Sequence, residues 1–291
     1  MGKNVKLLLV GDTIVDHNIF LSATGLSLES PTLKTNFVRE EIKFGGAANV
    51  AKYASLLGAE VTFITSLANK NYQNMFNNRY DIETIFVPQE KVNVKKRFWV
   101  ERGSTTYKYL QINDVNPDTP QKTISNLSTS VNKRNYDIAA ISDYRCGLVN
   151  KHLADNIKKL ECEKYAASQI SSKTSNFKNY RGFDCLVMNN SEAITCTNKK
   201  DYKFEDFKDL DCKRVLVTLG EDGAQVISSN TVKRYHLIDT LPAKNVIGAG
   251  DAFYAAFLVS DGDVEYANDF ASYYVSVLPG DDLRIEGFLN E

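Results

Sequence analysis

A short segment near the carboxyl end of the chain combines glycines with a carboxylate, Gly248-Ala249-Gly250-Asp251, and an apolar run follows it. The run predicts a buried helix, so the glycines stand at a helix N-terminus, where free N–H groups and the helix dipole favour an anion. A carboxylate beside an anion site can take the proton of a hydroxyl group that attacks a phosphoryl group. We therefore expect Asp251 to be a catalytic base. The alternative is a simple N-cap after a glycine turn.

The elements that must position this segment are indicated by five short apolar runs, at residues 6–10, 61–65, 137–141, 184–188 and 214–218. The runs are continuous rather than alternating, which is typical of parallel strands covered on both faces. Residues 47–57 carry apolar side chains at spacings of three and four, which predicts a helix that Gly58 ends. Strands that alternate with helices predict an α/β fold with an open, mostly parallel sheet.

Two stretches interrupt this alternation. Residues 13–44 are long, polar and rich in turns, whereas residues 92–113 are β-branched and aromatic, which predicts an antiparallel hairpin. We expect both to form a small β lid inserted within one domain that spans residues 1–291. The lid aromatics cover a substrate, join two lids in a homodimer, or form a mini-core under the hairpin; these alternatives stay open. The residues concerned include Phe98, Trp99, Tyr107 and Tyr109.

The composition excludes several classes of protein. With 35 basic and 36 acidic side chains the formal charge is −1, so no field of the whole protein attracts nucleic acid or membrane. The 5 cysteines are odd in number and the 3 histidines are isolated, which argues against a disulfide framework or a zinc site. No apolar run approaches the roughly 20 residues of a membrane span, and the N-terminus has no signal-peptide pattern. We expect a cytoplasmic protein that binds neither nucleic acid nor membrane.

Five segments resemble, in order, the ribokinase-like (PfkB-type) carbohydrate kinases. They are Gly11-Asp12-Thr13-Ile14-Val15-Asp16, Gly45-Gly46-Ala47-Ala48-Asn49, Asn189-Asn190-Ser191-Glu192, Thr218-Leu219-Gly220-Glu221-Asp222-Gly223 and the Gly248–Asp251 segment. Any one of them is a weak signal, but five in this order, each just past a predicted strand, indicate the family over nearly the whole chain. The resemblance implies a three-layer α/β/α fold with a central, mostly parallel sheet and a small β lid. It also implies an ATP-dependent sugar kinase that uses Mg²⁺.

The resemblance also implies a role for each matched residue. For the sugar these are Asp12, Asp16, Gly45, Gly46 and Asn49, and ligands do bind at the carboxyl ends of strands in open α/β sheets. For the nucleotide they are Asn189, Glu192, Thr218, Gly220 and Gly223. Glu192 is implied to order water around Mg²⁺, since this ion tends to keep its waters. Gly248, Ala249 and Gly250 are implied to form the anion hole beside Asp251. Loop turns and helix capping are the alternative roles.

Within this family, four features are similar to the kinases of D-glycero-D-manno-heptose 7-phosphate in ADP-heptose synthesis. They are the five-residue form of Gly45–Asn49, Leu28-Glu29-Ser30-Pro31, Ser142-Asp143-Tyr144 with Gly147, and Lys178-Asn179-Tyr180-Arg181-Gly182. The resemblance implies phosphorylation of the anomeric hydroxyl, with Asp143 among the substrate-binding residues. A phosphorylated sugar needs cationic side chains at its far end. The candidates are Lys34, Arg39, Arg97, Arg102 and Arg145.

Several alternatives remain open. Asn245 stands where the family usually has aspartate, near a monovalent-cation site of related kinases, so dependence on such a cation stays open. The substrate can instead be another sugar, sugar phosphate or nucleoside, or the chain can be a non-catalytic descendant that binds sugar or nucleotide. A nicotinamide-dependent dehydrogenase would need G-x-G-x-x-G after the first strand, and a P-loop enzyme G-x-x-x-x-G-K-[ST]. The sequence has neither.

Overall fold

The computed structural model describes residues 4–103, 105–115, 134–170, 175–237, 242–244, 246–276 and 287–288. The strands are β1 (Lys6–Gly11), β2 (Thr13–Leu26), β3 (Leu33–Gly46), β4 (Glu60–Ser66), β5 (Glu83–Val87), β6 (Val94–Arg102), β7 (Thr105–Asp114), β8 (Ile138–Asp143), β9 (Glu163–Ser168), β10 (Cys185–Asn189), β11 (Arg214–Thr218), β12 (Ala224–Ser228) and β13 (Val232–Tyr235). The α-helices are α1 (Ala47–Leu56), α2 (Lys70–Arg79), α3 (Lys151–Ile157), α4 (Asn190–Thr197), α5 (Ala249–Val259) and α6 (Val264–Ser276). Within the described ranges, three 3₁₀ segments lie at Phe177–Tyr180, Phe204–Leu210 and Gly220–Asp222.

The central sheet has nine strands in the order β13-β12-β11-β10-β9-β8-β1-β4-β5. All strand pairs from β11 to β5 are parallel, whereas the β11–β12 and β12–β13 pairs at one edge are antiparallel. Parallel strands bring their carboxyl ends to one edge of the sheet, and the loops that follow them gather there. The sheet therefore positions the segments after β1, β8, β9, β10 and β11 along a common edge.

Helices cover both faces of this sheet, because the side chains of each parallel strand alternate between two apolar layers. In β1, Leu7 and Leu9 face the cluster that contains α1, α5 and α6, whereas Leu8 and Val10 face the cluster that contains α3 and α4. All four side chains are fully buried. The result is the ribokinase-like three-layer α/β/α arrangement that the sequence predicted.

A second sheet has four strands in the order β3-β2-β6-β7 and forms the β lid. Strands β2 and β3 lie within and just beyond residues 13–44, and β6 and β7 occupy most of residues 92–113. The β2–β6 pair is parallel and sets Asp16 beside Lys95, while the antiparallel β2–β3 pair sets Ile14 beside Gly45. The lid is thus continuous with the glycine segment that opens α1.

The predicted strands and the first helix are confirmed in place. The five predicted runs correspond to β1, β4, β8, β10 and β11, and the predicted helix 47–57 is α1, which Gly58 follows with φ of 93°. Within the described part of the chain, no helix combines the length and the apolar character that crossing a membrane requires.

Candidate active site

A cavity of about 230 Å³ lies where the lid meets the carboxyl ends of β8 and β9. Each of its walls comes from a different part of the chain: the lid strands, the start of α1, the loops after β8 and β9, and the turn into α5. The polar side chains that line it include Asp16, Asn49, Lys95, Tyr144 and Asp251. The fold therefore gathers side chains that are distant in sequence around one space of the size of a small polar ligand.

Asp251 lies in the first turn of α5 and is held from two sides. Asn49 Nδ2 donates a hydrogen bond to Asp251 Oδ2 at 3.0 Å, and the Tyr144 hydroxyl donates to Asp251 Oδ1. Burial raises the pKa of Asp251 to about 6, although both hydrogen bonds act in the opposite direction. Nearby Asp16 raises this pKa further, and Lys95 lowers it. The carboxylate is thus charged at neutral pH and more basic than an exposed aspartate, as a general base requires.

The turn before Asp251 depends on a glycine. Gly248 is the N-cap of α5 and has φ of 92°, a left-handed conformation that side chains disfavour. A Cβ atom there would lie 2.8 Å from the Tyr274 hydroxyl, which itself donates to the Ile247 carbonyl at 2.7 Å. The turn places the first N–H groups of α5, including that of Gly250, at the helix end where an anion is favoured, while the Ala249 N–H makes a long hydrogen bond of 3.4 Å to the Val246 carbonyl.

The lid contributes a carboxylate and two cations. Arg97 Nη1 forms an ion pair with Asp16 Oδ1 at 2.6 Å, and the two side chains are only 11% and 19% exposed. Lys95, two positions earlier on β6 and therefore on the same face, lies with Nζ 5.9 Å from the centre of the Tyr144 ring. A Cβ atom on Gly45 would lie 2.5 Å from Asp16 Oδ2, so any other residue at position 45 would displace this oxygen.

Asp12, the other carboxylate after β1, is fully buried and is not among the residues that line this cavity. Its Oδ2 accepts hydrogen bonds from the backbone N–H groups of Tyr144 and Cys146, and its Oδ1 accepts one from Leu148. Burial and the nearby charge of Asp143 raise the pKa of Asp12 to about 7, while the three N–H groups lower it. We therefore propose that Asp12 shapes the loop after β8, in place of the sugar contact that was expected.

Asp143 is also occupied by protein groups. Its Oδ2 accepts from Ser168 Oγ at 2.8 Å, Asn176 Nδ2 at 3.0 Å and the Tyr180 hydroxyl, and its Oδ1 accepts from the Arg145 N–H at 2.8 Å. The side chain is 1% exposed. These bonds tie the loop after β8 to β9 and to the 3₁₀ segment Phe177–Tyr180. We propose a structural role here too, rather than direct contact with substrate.

The segments predicted to hold a nucleotide lie side by side, since Asn189 and Thr218 are register partners at the ends of β10 and β11. Asn189 and Glu192 form a reciprocal capping box at the start of α4, with bonds of 2.9 and 2.8 Å. Burial raises the pKa of Glu192 to about 7, although the Asn189 N–H opposes the shift. Capping and a role toward Mg²⁺ are compatible, because the Asn189 N–H bonds only one of the two carboxylate oxygens, Oε2.

The turn after β11 uses two glycines with positive φ. Gly220 has φ of 66° and Gly223 has φ of 84°, and the Leu219 N–H donates to the Gly223 carbonyl at 2.8 Å. A Cβ atom on Gly223 would lie 2.1 Å from the Tyr235 carbonyl oxygen, which leaves no room for a side chain. The turn therefore keeps its backbone close to β13 at the same edge of the sheet.

Of the cationic candidates, only Arg97 lines the cavity. Arg39 pairs with Glu101 and stacks over the Phe20 ring at 3.8 Å, Lys34 and Arg102 are exposed, and Arg145 occupies a turn with φ of 60°. Sequence reasoning missed Lys95, Gln169 and any role for Tyr144, all of which line the cavity. The two-residue spacing of Lys95 and Arg97 was the available signal.

Asn245 lies outside the described residues, and the described residues contain no group of three or more His, Cys, Asp or Glu side chains placed to hold a metal ion.

Comparison with known proteins adds relatives to this geometry. The bifunctional protein HldE of Aliarcobacter butzleri is 27% identical over 300 residues, which cover 96% of this chain and 62% of that protein. The chain thus spans about 60% of the length of the curated relatives it matches. Among solved structures, the ribokinase of Arabidopsis thaliana complexed with ribose and ATP has a TM-score of 0.68 and 17% identity, with 94% of this chain and 92% of that chain covered.

A microbiome-derived acarbose kinase, Mak1, has a TM-score of 0.74 and 15% identity, with 99% of each chain covered. At these identities the likeness to solved structures establishes the fold. The family follows from the sequence itself, because the model of the pfkB family of carbohydrate kinases matches residues 5–277. The chain therefore belongs to the pfkB family of carbohydrate kinases and is a phosphotransferase with a hydroxyl group as acceptor.

Proposed function

We propose that this protein transfers the γ-phosphoryl group of ATP to the anomeric hydroxyl of a heptose 7-phosphate. The observation that carries the proposal is that Lys95 and Arg97 line the same cavity as the base Asp251. Two cations near a base suit an acceptor that already bears phosphate, since guanidinium and ammonium groups are the usual ligands of phosphate oxygens. An unphosphorylated sugar or a nucleoside would need only neutral donors and acceptors there.

The heptose is supported by sequence rather than by the cavity. The segments Leu28–Pro31, Ser142–Tyr144 and Lys178–Gly182 resemble the heptose 7-phosphate kinases, and the curated relatives are bifunctional HldE proteins. Another sugar phosphate fits the same cations and is the second candidate. A non-catalytic descendant fits less well, because Asp251 keeps its position and a pKa of about 6.

The acceptor sugar is proposed to lie between the lid and the start of α1. Asp16 would accept hydrogen bonds from sugar hydroxyls through Oδ2, because Oδ1 is engaged by Arg97. Gly45 leaves Asp16 Oδ2 its space, and Gly46 lines the cavity without a Cβ atom. Asn49 can bind a hydroxyl through Oδ1, since its Nδ2 donates to Asp251. Lys95 and the remaining donors of Arg97 would then meet the substrate phosphate.

In the proposed reaction, Asp251 takes the proton of the acceptor hydroxyl as that oxygen bonds to the γ-phosphorus of ATP. The bond between this phosphorus and the β,γ-bridging oxygen breaks, and ADP leaves. The N–H groups of Ala249, Gly250 and Asp251 at the start of α5 would stabilise the charge on the transferred group. No covalent enzyme intermediate is required, so positioning and charge neutralisation account for the catalysis.

The nucleotide is proposed to lie along the ends of β10 and β11, where Thr218, Gly220 and Gly223 form the turn after β11. Glu192 fits a role toward Mg²⁺, because its carboxylate is buried and its pKa is raised to about 7, so a nearby cation would favour the charged form. The ion would neutralise phosphate charge, and Glu192 would hold its water shell.

One experiment tests the substrate class. The protein is assayed for ADP release with a panel of matched acceptors: heptose 7-phosphate, the same heptose without phosphate, fructose 6-phosphate, ribose and adenosine. We expect the highest kcat/KM with heptose 7-phosphate, and ³¹P NMR should show a new phosphate at the anomeric position. A preference for the unphosphorylated heptose or for ribose would contradict the role of Lys95 and Arg97. A preference for fructose 6-phosphate would keep the phosphate contact and change the sugar.

A homodimer through the lid is a second proposal, on partners. Ladder pairing places Tyr107, Leu110 and Ile112 on the face of the lid opposite Lys95 and Arg97, and they are 43%, 47% and 45% exposed. An apolar outer face on a thin sheet is suited to pairing with the same face of a second copy. Light scattering should report a dimer, and Ile112→Glu should shift it to monomer. A monomeric wild-type protein would exclude the interface.

A further inference from the structure

Tyr144 contacts the base and is itself fixed on both sides. Its backbone N–H donates to Asp12 Oδ2 at 3.0 Å, and its ring lies 3.5 Å from where a Cβ atom of Gly46 would stand. The next residue, Arg145, has φ of 60°, and its N–H donates to Asp143 Oδ1 at 2.8 Å. Buried carboxylates thus anchor the backbone around Tyr144. The loop backbone that carries Tyr144 is therefore fixed, and the side chain extends from it to Asp251.

The carboxylate of Asp251 receives one hydrogen bond at each oxygen, from two different elements. Tyr144, from the loop after β8, donates to Oδ1, and Asn49, from α1, donates to Oδ2. The terminal torsion of an aspartate is otherwise broad, so two such donors define the plane of the carboxylate. Each oxygen keeps a further lone pair for the acceptor hydroxyl.

We propose that Tyr144 is a positioning residue for the base: its hydroxyl fixes Oδ1 of Asp251 and supports the charged carboxylate, so that Asp251 meets the acceptor hydroxyl in one orientation. This inference rests on the proposed function only for its kinetic consequence. The contact itself is a property of the protein without substrate. Asp12 supports this arrangement, because it accepts a hydrogen bond from the backbone N–H of Tyr144.

The effect of Tyr144 on the pKa of Asp251 can be separated from the effects of the other groups that face this carboxylate. Asp16 on β2 raises the pKa of Asp251, Lys95 on β6 lowers it, and Tyr53 on α1 is close enough for its own pKa to be raised by Asp251. All of these stay in place when only the Tyr144 hydroxyl is removed. A hydrogen bond from a hydroxyl favours the charged form of a carboxylate, so its loss must raise the pKa of Asp251.

The decisive experiment needs no substrate. The carboxyl carbons of the aspartates are labelled with ¹³C, and the Asp251 signal is assigned by its absence from Asp251→Asn. Its titration is then followed by NMR in the wild-type protein, in Tyr144→Phe and in Tyr165→Phe. Tyr165 is the matched control, because it is a fully buried tyrosine that also donates to a carboxylate, Glu163, away from the cavity.

We expect the midpoint near pH 6 in the wild type to rise by about one to two units in Tyr144→Phe, the size of a hydrogen bond to a charged group. Tyr165→Phe should leave it unchanged. An unchanged midpoint in Tyr144→Phe, or an equal rise in Tyr165→Phe, would overturn the assignment. The midpoint reports folded molecules only, so partial unfolding of a variant does not change the outcome.

A second variant should shift the titration midpoint of Asp251 in the opposite direction, which a purely steric effect would not do. With 3-fluorotyrosine at position 144, the phenol is a stronger donor of nearly the same shape, and the midpoint should move downward. With the acceptor sugar found by the panel, kcat of Tyr144→Phe should fall about tenfold or more at neutral pH, because orientation is lost, while the KM for ATP stays the same. If Tyr144→Phe shifts the titration of Asp251 but the wild-type protein turns over no acceptor, the proposed substrate is wrong and the contact between Tyr144 and Asp251 stands. Turnover with unchanged titration and unchanged kcat would sink the positioning role alone.

Discussion

Asn49 Nδ2 lies 3.0 Å from Asp251 Oδ2, although the two residues are 202 positions apart in the chain. The contact joins the first turns of α1 and α5, which pack against each other on one face of the central sheet. The glycine segment Gly45–Gly46 and the segment Gly248–Gly250 enter these two helices. Two motifs that the sequence shows separately are thus parts of one site, and substrate bound at one helix is adjacent to the base on the other.

The base assignment predicts the effect of Asp251→Asn. Asparagine keeps the shape of the side chain but cannot take a proton, so kcat should fall at least about 100-fold. The affinity for ATP, measured by calorimetry, should stay close to that of the wild type. Asp209→Asn, at an exposed position in Phe204–Leu210, is the control and should leave kcat unchanged. Near-normal turnover of Asp251→Asn on the true acceptor would show that another group takes the proton.

The pH dependence of kcat/KM for the sugar follows from the same carboxylate. The base acts in its charged form, and the pKa of Asp251 is raised by burial to about 6. Activity should therefore be lost as the pH falls through about 6 and should reach a plateau above it. The residual activity of Asp251→Asn should lack this acidic limb. A limb at the usual aspartate pH near 4 would indicate that water reaches the carboxylate and that burial does not tune it.

The close approach of Gly45 to Asp16 predicts that Gly45→Ala impairs sugar binding. The added Cβ would lie 2.5 Å from Asp16 Oδ2, so the carboxylate must move. We expect the sugar KM to rise about tenfold, equivalent to about 1.4 kcal/mol, with the ATP KM unchanged. Asp16→Ala should raise the sugar KM as well. Because the two changes act on one contact, the double variant should be less impaired than the product of the single effects. Fully multiplicative effects would mean that Gly45 acts independently of Asp16.

The sequence was sufficient to predict the α/β fold and five strands of its central sheet. The runs that became β1, β4, β8, β10 and β11 are apolar on both faces, and such runs in alternation with helical patterns have few other arrangements. Asp16, Asn49 and Asp251 were expected in one site through the resemblance of their segments to the carbohydrate kinases, and they do lie around one cavity. Strands β5, β9, β12 and β13 were not predicted, since they are short and mix polar with apolar residues.

What the sequence could not predict is which polar groups are satisfied by the protein itself. Asp12 and Asp143 have the residue type and strand-end position of ligand-binding carboxylates, but protein groups occupy their oxygens. The N–H groups that bond Asp12 lie up to 136 positions away, and the side chains that bond Asp143 lie up to 37 positions away. Those partners are set by the tertiary fold. Lys95 looked like any surface lysine, and only the pairing of β6 with β2 brings it beside Asp16.

The proposed phosphate contact predicts that Lys95→Met lowers kcat/KM for the phosphorylated acceptor but not for the acceptor without phosphate. Lys95→Met keeps most of the apolar stem and removes the charge, so kcat/KM for the sugar phosphate should fall about tenfold to 100-fold, the range of one charge-assisted hydrogen bond. Lys95 also lowers the pKa of Asp251, so the assay is run well above pH 6, where Asp251 stays charged. With the same sugar lacking phosphate, the variant should then stay close to the wild type. Lys70→Met is the control, because Lys70 is exposed on α2 and lies outside both the lid and the residues that line the cavity. Equal losses on both acceptors would place Lys95 outside the phosphate contact.

The capping box at α4 has two functions that one pair of variants can separate. Asn189→Ala removes the acceptor for the Glu192 N–H, so the free energy of unfolding in urea should fall by about 1 kcal/mol. Glu192→Gln keeps an acceptor for the Asn189 N–H and should change stability much less. It removes the charge, however, so the Mg²⁺ concentration for half-maximal rate should rise if Glu192 holds the water shell of the ion. An unchanged Mg²⁺ requirement in Glu192→Gln would leave capping as the sole role of Glu192, because charge is the one property that this substitution removes.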